Sequence, residues 1–484
     1  MRKPKSQKLY KKLLSETVIY GIGSILPRLI NFALVPLYTD KINTEEFSKF
    51  VQLYALVAFV NIVLTCGFET AYFRYSSDKN LSGKVFHTSF WFVFVNALAF
   101  LLGMYIFNIP IANFFDYQDH PEYLKYFAWI AFFDAICMIP FAYLRFTNKP
   151  IKYSAIKVFQ GVFQTLIILA FFYLIPEAFL QNIGLTEKVS YPFVANVIAA
   201  FSGVLLLLPI IKQVRFYFNR ELFGKMFRYA YPVMLAGLAF ITNENLDKLV
   251  LRGMISESEA GAYGGCYKIA TLMILMVTAY RMGVEPFFFK KAQDGDAKKT
   301  YADIMQYFVI FCGFAVVALL GNLSWIKQLM IRDEAYWVAM PIVPIIVIAN
   351  YFFGIYYNLS TWYKVTDKTY VGTVVSWVGA GLTILLNLIL IPVIGFMASA
   401  WATLAAYGTM MVISYFWGQK SYRIPYKSRK ILLYMTLSVG LGLLAYHVLD
   451  NNFWTGNLCV IIYIALAIFI EKKSLNYIRN QNSK

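Results

Sequence analysis

The sequence predicts an all-α polytopic membrane protein of about 14 transmembrane helices, and three observations carry that prediction. Of 484 residues, 59% are hydrophobic and 14% charged, where an ordinary soluble domain carries roughly 25% charged residues. Mean hydropathy is +0.57. Apolar runs of helical length follow one another along the chain with short polar connections between them, and one membrane crossing needs about 20 such residues. A soluble globular protein, single-domain or multidomain, is excluded.

The first apolar run, 15–37, follows a basic tail, 1–14, that holds six Lys and Arg. The run is too long for a signal-peptide core and no small-residue cleavage site follows, so it stays as a spanning helix. Runs at 47–72, 86–106, 123–145, 154–176 and 191–212 complete an N-terminal six-helix lobe, 15–226. Runs at 227–251, 261–283, 301–325, 337–361, 370–391 and 396–418 form a second lobe, 227–429. Two further runs, 430–449 and 454–471, lie in 430–484 with the C-terminal tail. Numbered in order, these are predicted helices 1 to 14.

The net charge of +18 follows from membrane orientation. With the N-terminus inside, the even-numbered connections and both tails hold 33 of the 44 Lys and Arg. The opposite side holds six: Lys41, Lys49, Lys188, Arg252, Lys327 and Arg332. Arg28, Lys125, Lys248, Lys268 and Arg281 lie within or at the ends of helices. The positive-inside rule then places both termini in the cytoplasm. No nucleic-acid partner is expected.

An internal repeat supports two lobes. Ile42 to Tyr54 aligns without gaps on Ile255 to Tyr267, pairing Ile42 with Ile255, Glu46 with Glu259 and Tyr54 with Tyr267. The offset superposes helix 1 on helix 7 and helix 2 on helix 8. Six helices per repeat is an even number, so the halves insert as parallel repeats, and helices 13 and 14 are an appendage.

The sequence contains no Walker loop, GxSxG elbow, HExxH or Ser/His/Asp grouping, which disfavours an enzyme. Cys66, Cys137, Cys266, Cys312 and Cys459 sit singly in apolar runs, and His87, His120 and His447 are scattered. Neither disulfide nor metal centre is expected. No cofactor is expected either, and the energy source is a proton or sodium gradient, the membrane potential or the substrate gradient.

Intramembrane polar residues are then the functional pointers, because a charge at the bilayer centre costs about 2.5–3.5 kcal/mol on insertion scales. Tyr20, Ser24, Arg28 and Asn31 share one face of helix 1, with Arg28 near the midplane and Pro27 before it to bend the helix. Asp134 in helix 4 matches Arg28 in depth. Helix 7 carries Asn243, Glu244, Asn245, Asp247 and Lys248. Glu244 and Lys248 have the favourable i, i+4 order, and Asp247 has no local partner in the sequence. Lys268 in helix 8 either snorkels outward or points into a cavity. Arg281 and Glu285 are read as interfacial anchors at the inner end. Gln160 and Gln164 in helix 5, with Asn350, Tyr351, Tyr357 and Asn358 in helix 10, are expected to face the interior.

Phe32-Ala-Leu-Val-Pro-Leu-Tyr-Thr39, Asn43-Thr-Glu-Glu-Phe47 and Gly67-Phe-Glu-Thr-Ala-Tyr-Phe-Arg-Tyr75 resemble the start of bacterial polysaccharide-unit flippases. These belong to the multidrug/oligosaccharidyl-lipid/polysaccharide exporter superfamily. Asp247-Lys248, Glu259-Ala-Gly-Ala-Tyr263 and Tyr267-Lys268 are similar to that family's helices 7 and 8, as is the stretch Asn387 to Pro392, Gly395 and Ala400 to its helices 11 and 12. The resemblance implies two six-helix lobes around a cavity that opens alternately to each side. It implies an undecaprenyl-diphosphate-linked oligosaccharide as cargo, flipped across the bacterial inner membrane for O-antigen, lipopolysaccharide, capsule or exopolysaccharide synthesis. Its partners are then membrane lipids, glycosyltransferases and a polysaccharide polymerase, with the flippase itself a monomer. Arg28 matches the position where such proteins place a cation, and Lys268 is a weaker match. Ser24, Asn31, Gln160 and Asn350 are expected around the cargo, while Asp134, Glu244, Asp247 and Lys248 tune the charge or carry a coupling ion. Helix 2 lacks a midplane basic residue, a departure from the lipid II flippases. The alternatives are a cation-coupled multidrug exporter, a lipid II flippase, and a membrane glycosyltransferase or ligase. The last would need a large outer loop with catalytic residues, and Asn108 to Glu122 has no Lys or Arg.

Overall fold

The computed structural model describes residues 4–78, 81–291, 295–449 and 452–482, and their side chains except at 4–18, 286, 289–291 and 473–482. All regular structure among the described residues is helical. Fourteen long helices follow the predicted order: α1 (Pro4–Ala33), α2 (Thr44–Thr65), α3 (Ser82–Ile106), α4 (Glu122–Phe146), α5 (Pro150–Tyr173), α6 (Ser190–Ile211) and α7 (Arg220–Met254), then α8 (Glu257–Lys291), α9 (Ala297–Gly321), α10 (Ile342–Leu359), α11 (Tyr370–Ile394), α12 (Met397–Ser421), α13 (Ser428–His447) and α14 (Phe453–Asn482). Thirteen helical segments among the described residues are long and apolar enough to cross a membrane. The exception is α7, long enough at 35 residues but loaded in its C-terminal half with the polar cluster at 243–248.

Local chemistry sets the breaks. The helix of predicted span 1 runs on through Pro27, and its interruption comes at Leu34, where Pro36 opens the short helix Val35–Lys41. Predicted span 2 divides at Cys66 and Gly67, both in the left-handed region, before the short helix Phe68–Ser76. Gly67 is required there twice over: its φ is +69°, and a Cβ would lie 2.7 Å from the Ala230 carbonyl oxygen.

The repeated segment has a physical basis as a helix start. Asn43 caps α2 by accepting from the Glu46 N–H at 2.8 Å, and its amide returns to Glu46 Oε1 at 3.0 Å. In the second copy Ser256 Oγ accepts the Glu259 N–H at 3.3 Å and donates to Glu259 Oε2 at 2.8 Å. Both are N-caps whose side chain also bonds the Glu three residues on, a side-chain variant of the capping box that gives the Glu a reason to recur there.

Two compact units result, Met1–Gly264 and Gly265–Lys484. In the first, α4 is the most buried of the candidate spans and packs against α2, α3 and α6, while α6 also packs on α5 and α5 on α1. Because α7 packs on α2 and on Phe68–Ser76, it belongs to this unit. In the second, α10 packs against α12 and α9, and α11 against α12. The pairs α4–α6 and α5–α6 thus recur six helices later as α10–α12 and α11–α12, the packing counterpart of the sequence repeat. The appended helices α13 and α14 pack on each other and on α9 around Val317, Ala445, Cys459 and Tyr463. Gly321 and Gly456 bring the α9 and α14 backbones together, since a Cβ on Gly456 would meet the Gly321 carbonyl oxygen.

Candidate functional site

One face of α1 is committed to α5. Ser154 donates to the Ile19 carbonyl at 2.7 Å and fills the space beside Gly23, while Pro27 lies against Gly161. Tyr20 meets Tyr153 edge-on at 5.5 Å, so it turns from the predicted polar face onto α5. Arg28 and Asn31 are exposed and Ser24 is half-buried. Hydrogen-bonding and ion-pairing partners for Arg28 are absent among the described residues. A guanidinium without a counter-charge within a candidate span is costly against lipid, which makes Arg28 the candidate functional residue of α1.

The second polar centre of this unit surrounds Asp134. From Glu122 to Leu144 it is the one exposed residue of α4, between the buried Phe133 and Ala135. A charged side chain open to solvent in the middle of a buried helix lines an aqueous crevice. Asn61 of α2 and Lys157 of α5 are its side-chain and electrostatic partners. Lys157 Nζ lies 4.1 Å from the Phe141 ring centroid. Tyr54 of α2 is also near the Asp134 charge, and its hydroxyl accepts from Asn196 of α6 at 3.0 Å. Lys157 falls within predicted span 5 but is counted in the sequence among the 33 bases of the connections and tails; the structure keeps it in the helix. It sits two turns into α5.

At the junction of α7 and α8 the charges are structural. Lys248 Nζ pairs with both Asp247 carboxylate oxygens, at 3.1 and 3.3 Å, and donates to the Glu244 carbonyl at 2.7 Å. Asp247 also accepts from the Tyr263 hydroxyl. The expectation that Asp247 lacks a local partner is corrected: its neighbour in sequence and a Tyr on α8 hold it, buried to 3%. Arg252, which the sequence placed simply among the outer bases, is buried and uses all five N–H groups. Nε and Nη2 donate to Glu257, Nη1 donates to Gln52 Oε1 at 3.0 Å and to the Phe115 carbonyl at 2.9 Å, and Nη2 reaches the Asp116 carbonyl at 2.7 Å. The guanidinium also lies 4.4 Å over the Tyr117 ring, and burial raises the Tyr117 phenol well above the ordinary tyrosine range.

In the second unit Lys268 is half-buried on α8. Asn350 is 1% exposed and its amide donates to the Ala270 carbonyl at 3.1 Å, which corrects the expectation that it faces a cavity. Tyr351 donates to the Val309 carbonyl at 2.9 Å, and Asn358 accepts from Tyr280, so the polar stripe of α10 fastens it to α8 and α9. In the first unit, Gln160 is likewise held by packing: its amide donates to the Ala199 carbonyl at 3.3 Å where Gly203 leaves room for it.

Residues 42–321, more than half of the chain, match the family described as polysaccharide biosynthesis protein. The chain belongs to that family. Among curated relatives, this family member is 19% identical over 335 residues to Lsg locus protein 1 of Haemophilus influenzae, an alignment covering 68% of this chain and 77% of that protein. Among solved structures it superposes on a lipid II flippase, MurJ, in an inward closed conformation, with a TM-score of 0.74 and 16% identity over 95% of this chain and all of that one. An inward-facing multidrug resistance MATE transporter of the MOP superfamily gives a TM-score of 0.66 and 12% identity, covering 84% of this chain and 97% of that one. The fold is that of transport proteins rather than of enzymes.

The motif residues of this family member mostly do structural work. In Glu259-Ala-Gly-Ala-Tyr263, Glu259 closes the capping box, Gly261 lets α8 touch the Thr44 carbonyl, and Tyr263 holds Asp247. The two repeat copies meet here, with Thr44 and Ser258 hydroxyls 2.7 Å apart. Asn61, Lys157 and Asn196, which assemble around Asp134, were not singled out by sequence reasoning. The spacing Tyr54 to Asn61, two helical turns on one face, was the available signal.

Proposed function

We propose that this protein flips a lipid-linked oligosaccharide repeat unit from the inner to the outer face of the bacterial cytoplasmic membrane by alternating access, both termini being cytoplasmic. The observation that carries this is Arg28, a cation exposed on α1 without a carboxylate partner, in a member of a polysaccharide biosynthesis family. Its guanidinium suits a diphosphate, which it meets with charge-assisted, bidentate hydrogen bonds. Ser24 and Asn31 flank it for sugar hydroxyls, and in the second unit Lys268 is by itself a candidate cation for the cargo. Asp134, with Glu244, is the carboxylate assigned to a coupling proton or sodium ion, since Asp247 is taken by Lys248 and Tyr263. As a monomer, the protein would take an undecaprenyl-diphosphate cargo built by glycosyltransferases and deliver it to a polymerase, for O-antigen or another surface polysaccharide.

Arg28→Ala is expected to lower surface polysaccharide and translocation of the labelled lipid intermediate at least tenfold, with Arg28→Lys retaining part of both. Unchanged translocation in Arg28→Ala overturns the proposal. The rival, a cation-coupled multidrug exporter, is favoured by the open Asp134 carboxylate. Lys157 beside it offsets the negative charge an organic cation would need. Drug efflux in a pump-deficient strain decides between them.

A further inference from the structure

At the inner ends of α8 and α10, as the basic connections orient them, four side chains of the second unit converge outside the site described above. Arg281 and Glu285 come from the last membrane turns of α8. Tyr357 is on α10, and Lys364 is in the short helix Thr361–Val365 that continues it. Lys364 Nζ donates to Glu285 Oε1 at 3.0 Å and to the Tyr357 hydroxyl at 3.0 Å, and lies 4.1 Å from the Tyr357 ring centroid. Arg281 stands 4.7 Å over the same ring. Its Nε is 3.8 Å from Glu285 Oε2, which is an ion pair but too long for a hydrogen bond. Glu285, Tyr357 and Lys364, with Phe288, Thr361 and Val365, line a pocket, and Arg281 stands beside it over the Tyr357 ring.

The charges do not cancel: two cations share one carboxylate. Glu285 is engaged at close range by Lys364, so the Arg281 fork keeps donors for another acceptor, and the Arg281 side chain is 44% exposed. An interfacial anchor needs no such arrangement, because a single snorkelling Arg suffices. Depth names the ligand class. The apolar run of α8 gives out at Lys290 and Lys291 and that of α10 at Asp367 and Lys368, so the pocket sits near the edge of the hydrocarbon, within reach of headgroup phosphates. A planar fork, an ammonium and a phenol around one cleft are the donor set for a phosphate oxyanion, and basic pockets between helices at the cytoplasmic face bind lipid phosphates.

We propose that Arg281, Lys364 and Tyr357 form a second site that binds a lipid-borne phosphate or diphosphate, with Glu285 as the built-in anion that the ligand displaces from Lys364. The site does not depend on Arg28 or on the flippase reading. The lipid is either a bilayer phospholipid or the polyprenyl diphosphate of a cargo.

The full chain in phosphatidylcholine nanodiscs, titrated with geranylgeranyl diphosphate or loaded with increasing phosphatidylglycerol and read by native mass spectrometry, tests this. Glu285→Gln removes the competing anion and is expected to tighten binding three- to tenfold. Arg281→Gln and Lys364→Gln are each expected to weaken it about tenfold, whereas Lys299→Gln, an exposed base nearby in sequence, leaves it unchanged. A gain of affinity cannot come from misfolding, so Glu285→Gln guards against a trivial loss. If Glu285→Gln weakens or fails to change the binding of both lipids, the site is a structural ion cluster and the proposal falls. A response confined to geranylgeranyl diphosphate assigns the site to cargo, and one confined to phosphatidylglycerol assigns it to the bilayer.

Discussion

Arg252→Ala is the sharpest test of how the first unit is held together. The guanidinium bridges α7, the start of α8, Gln52 of α2 and the loop at Phe115 and Asp116. Gln52 in turn donates to the Leu249 carbonyl at 3.1 Å and accepts from Tyr117 at 2.9 Å. Breaking a buried ion pair by removing one partner costs about 3–5 kcal/mol. The lower end applies, for three reasons. Glu257 is 37% exposed and regains water, Asp116 is exposed and its carbonyl does too, and Gln52 keeps Tyr117. What is lost outright is the Phe115 contact and the stacking on Tyr117, the latter about 0.5–2 kcal/mol. The expected cost is therefore about 3 kcal/mol, or roughly 6 °C in melting midpoint for a unit of this size. Arg252→Lys keeps the stem over Tyr117 but offers three donors from one point, and is expected to lose about half as much. Tryptophan-fluorescence melting of purified protein in detergent reads both. A midpoint for Arg252→Ala within about 1 °C of the parent would show that the five bonds hold nothing the rest of the packing does not.

Three further outcomes follow from geometry. Gly67→Ala places a Cβ at a left-handed φ of +69° and against the Ala230 carbonyl; it is expected to cost about 1–3 kcal/mol, read as a lower melting midpoint and reduced yield. Asp134→Asn and Lys157→Gln each remove one member of a solvent-open charge pair and are each expected to cost no more than about 1 kcal/mol, with a coupling of similar size in a melting cycle. Glu471→Ala removes one carboxylate oxygen that accepts from Gln306 at 2.6 Å, Lys430 at 2.8 Å and Tyr434 at 2.9 Å; hydrogen exchange is expected to rise at least tenfold in α13 and α14 while α4 stays protected.

The helices were legible because length and hydropathy are summed over many residues, and neighbours cannot reverse such a sum. α7 shows where that fails. Asn243, Asp247 and Arg252 lower its hydropathy, yet all three are buried: Asn243 turns back onto the Ala239 carbonyl of its own helix, Asp247 is held by Lys248 and by Tyr263 of α8, and Arg252 by Gln52 of α2 and Glu257 of α8. A charge in an apolar run, as at Arg28, can be picked out of the sequence as a candidate, whereas a cluster whose partners come from elsewhere in the fold cannot. Asp134 was visible alone, while Lys157 is counted in the sequence among the bases of the connections. Asn350 and Gln160 have the composition of cavity residues, but an amide serves equally well to tie one helix to the backbone of the next, and only distances to Ala270 and Ala199 decide which.

This separation bears on what the family motifs mean. The residues that carry the resemblance, Glu46, Gly67, Glu259, Gly261 and Tyr263, start helices, permit a left-handed turn or let backbones touch. Each is needed by any chain that must place α2 against α8, whatever passes through it, so these motifs report fold and are silent on cargo. Selectivity has to reside in groups the fold does not consume. On the function proposed above, that is Arg28 on α1, with its flank of Ser24 and Asn31, and on the second proposal it is Arg281 towards the C-terminal end of α8. Two relatives with the same motifs but different cargo should therefore differ at these positions and agree at Gly67 and Gly261. Exchanging residues 24, 28 and 31 between them should move substrate preference without moving the melting midpoint.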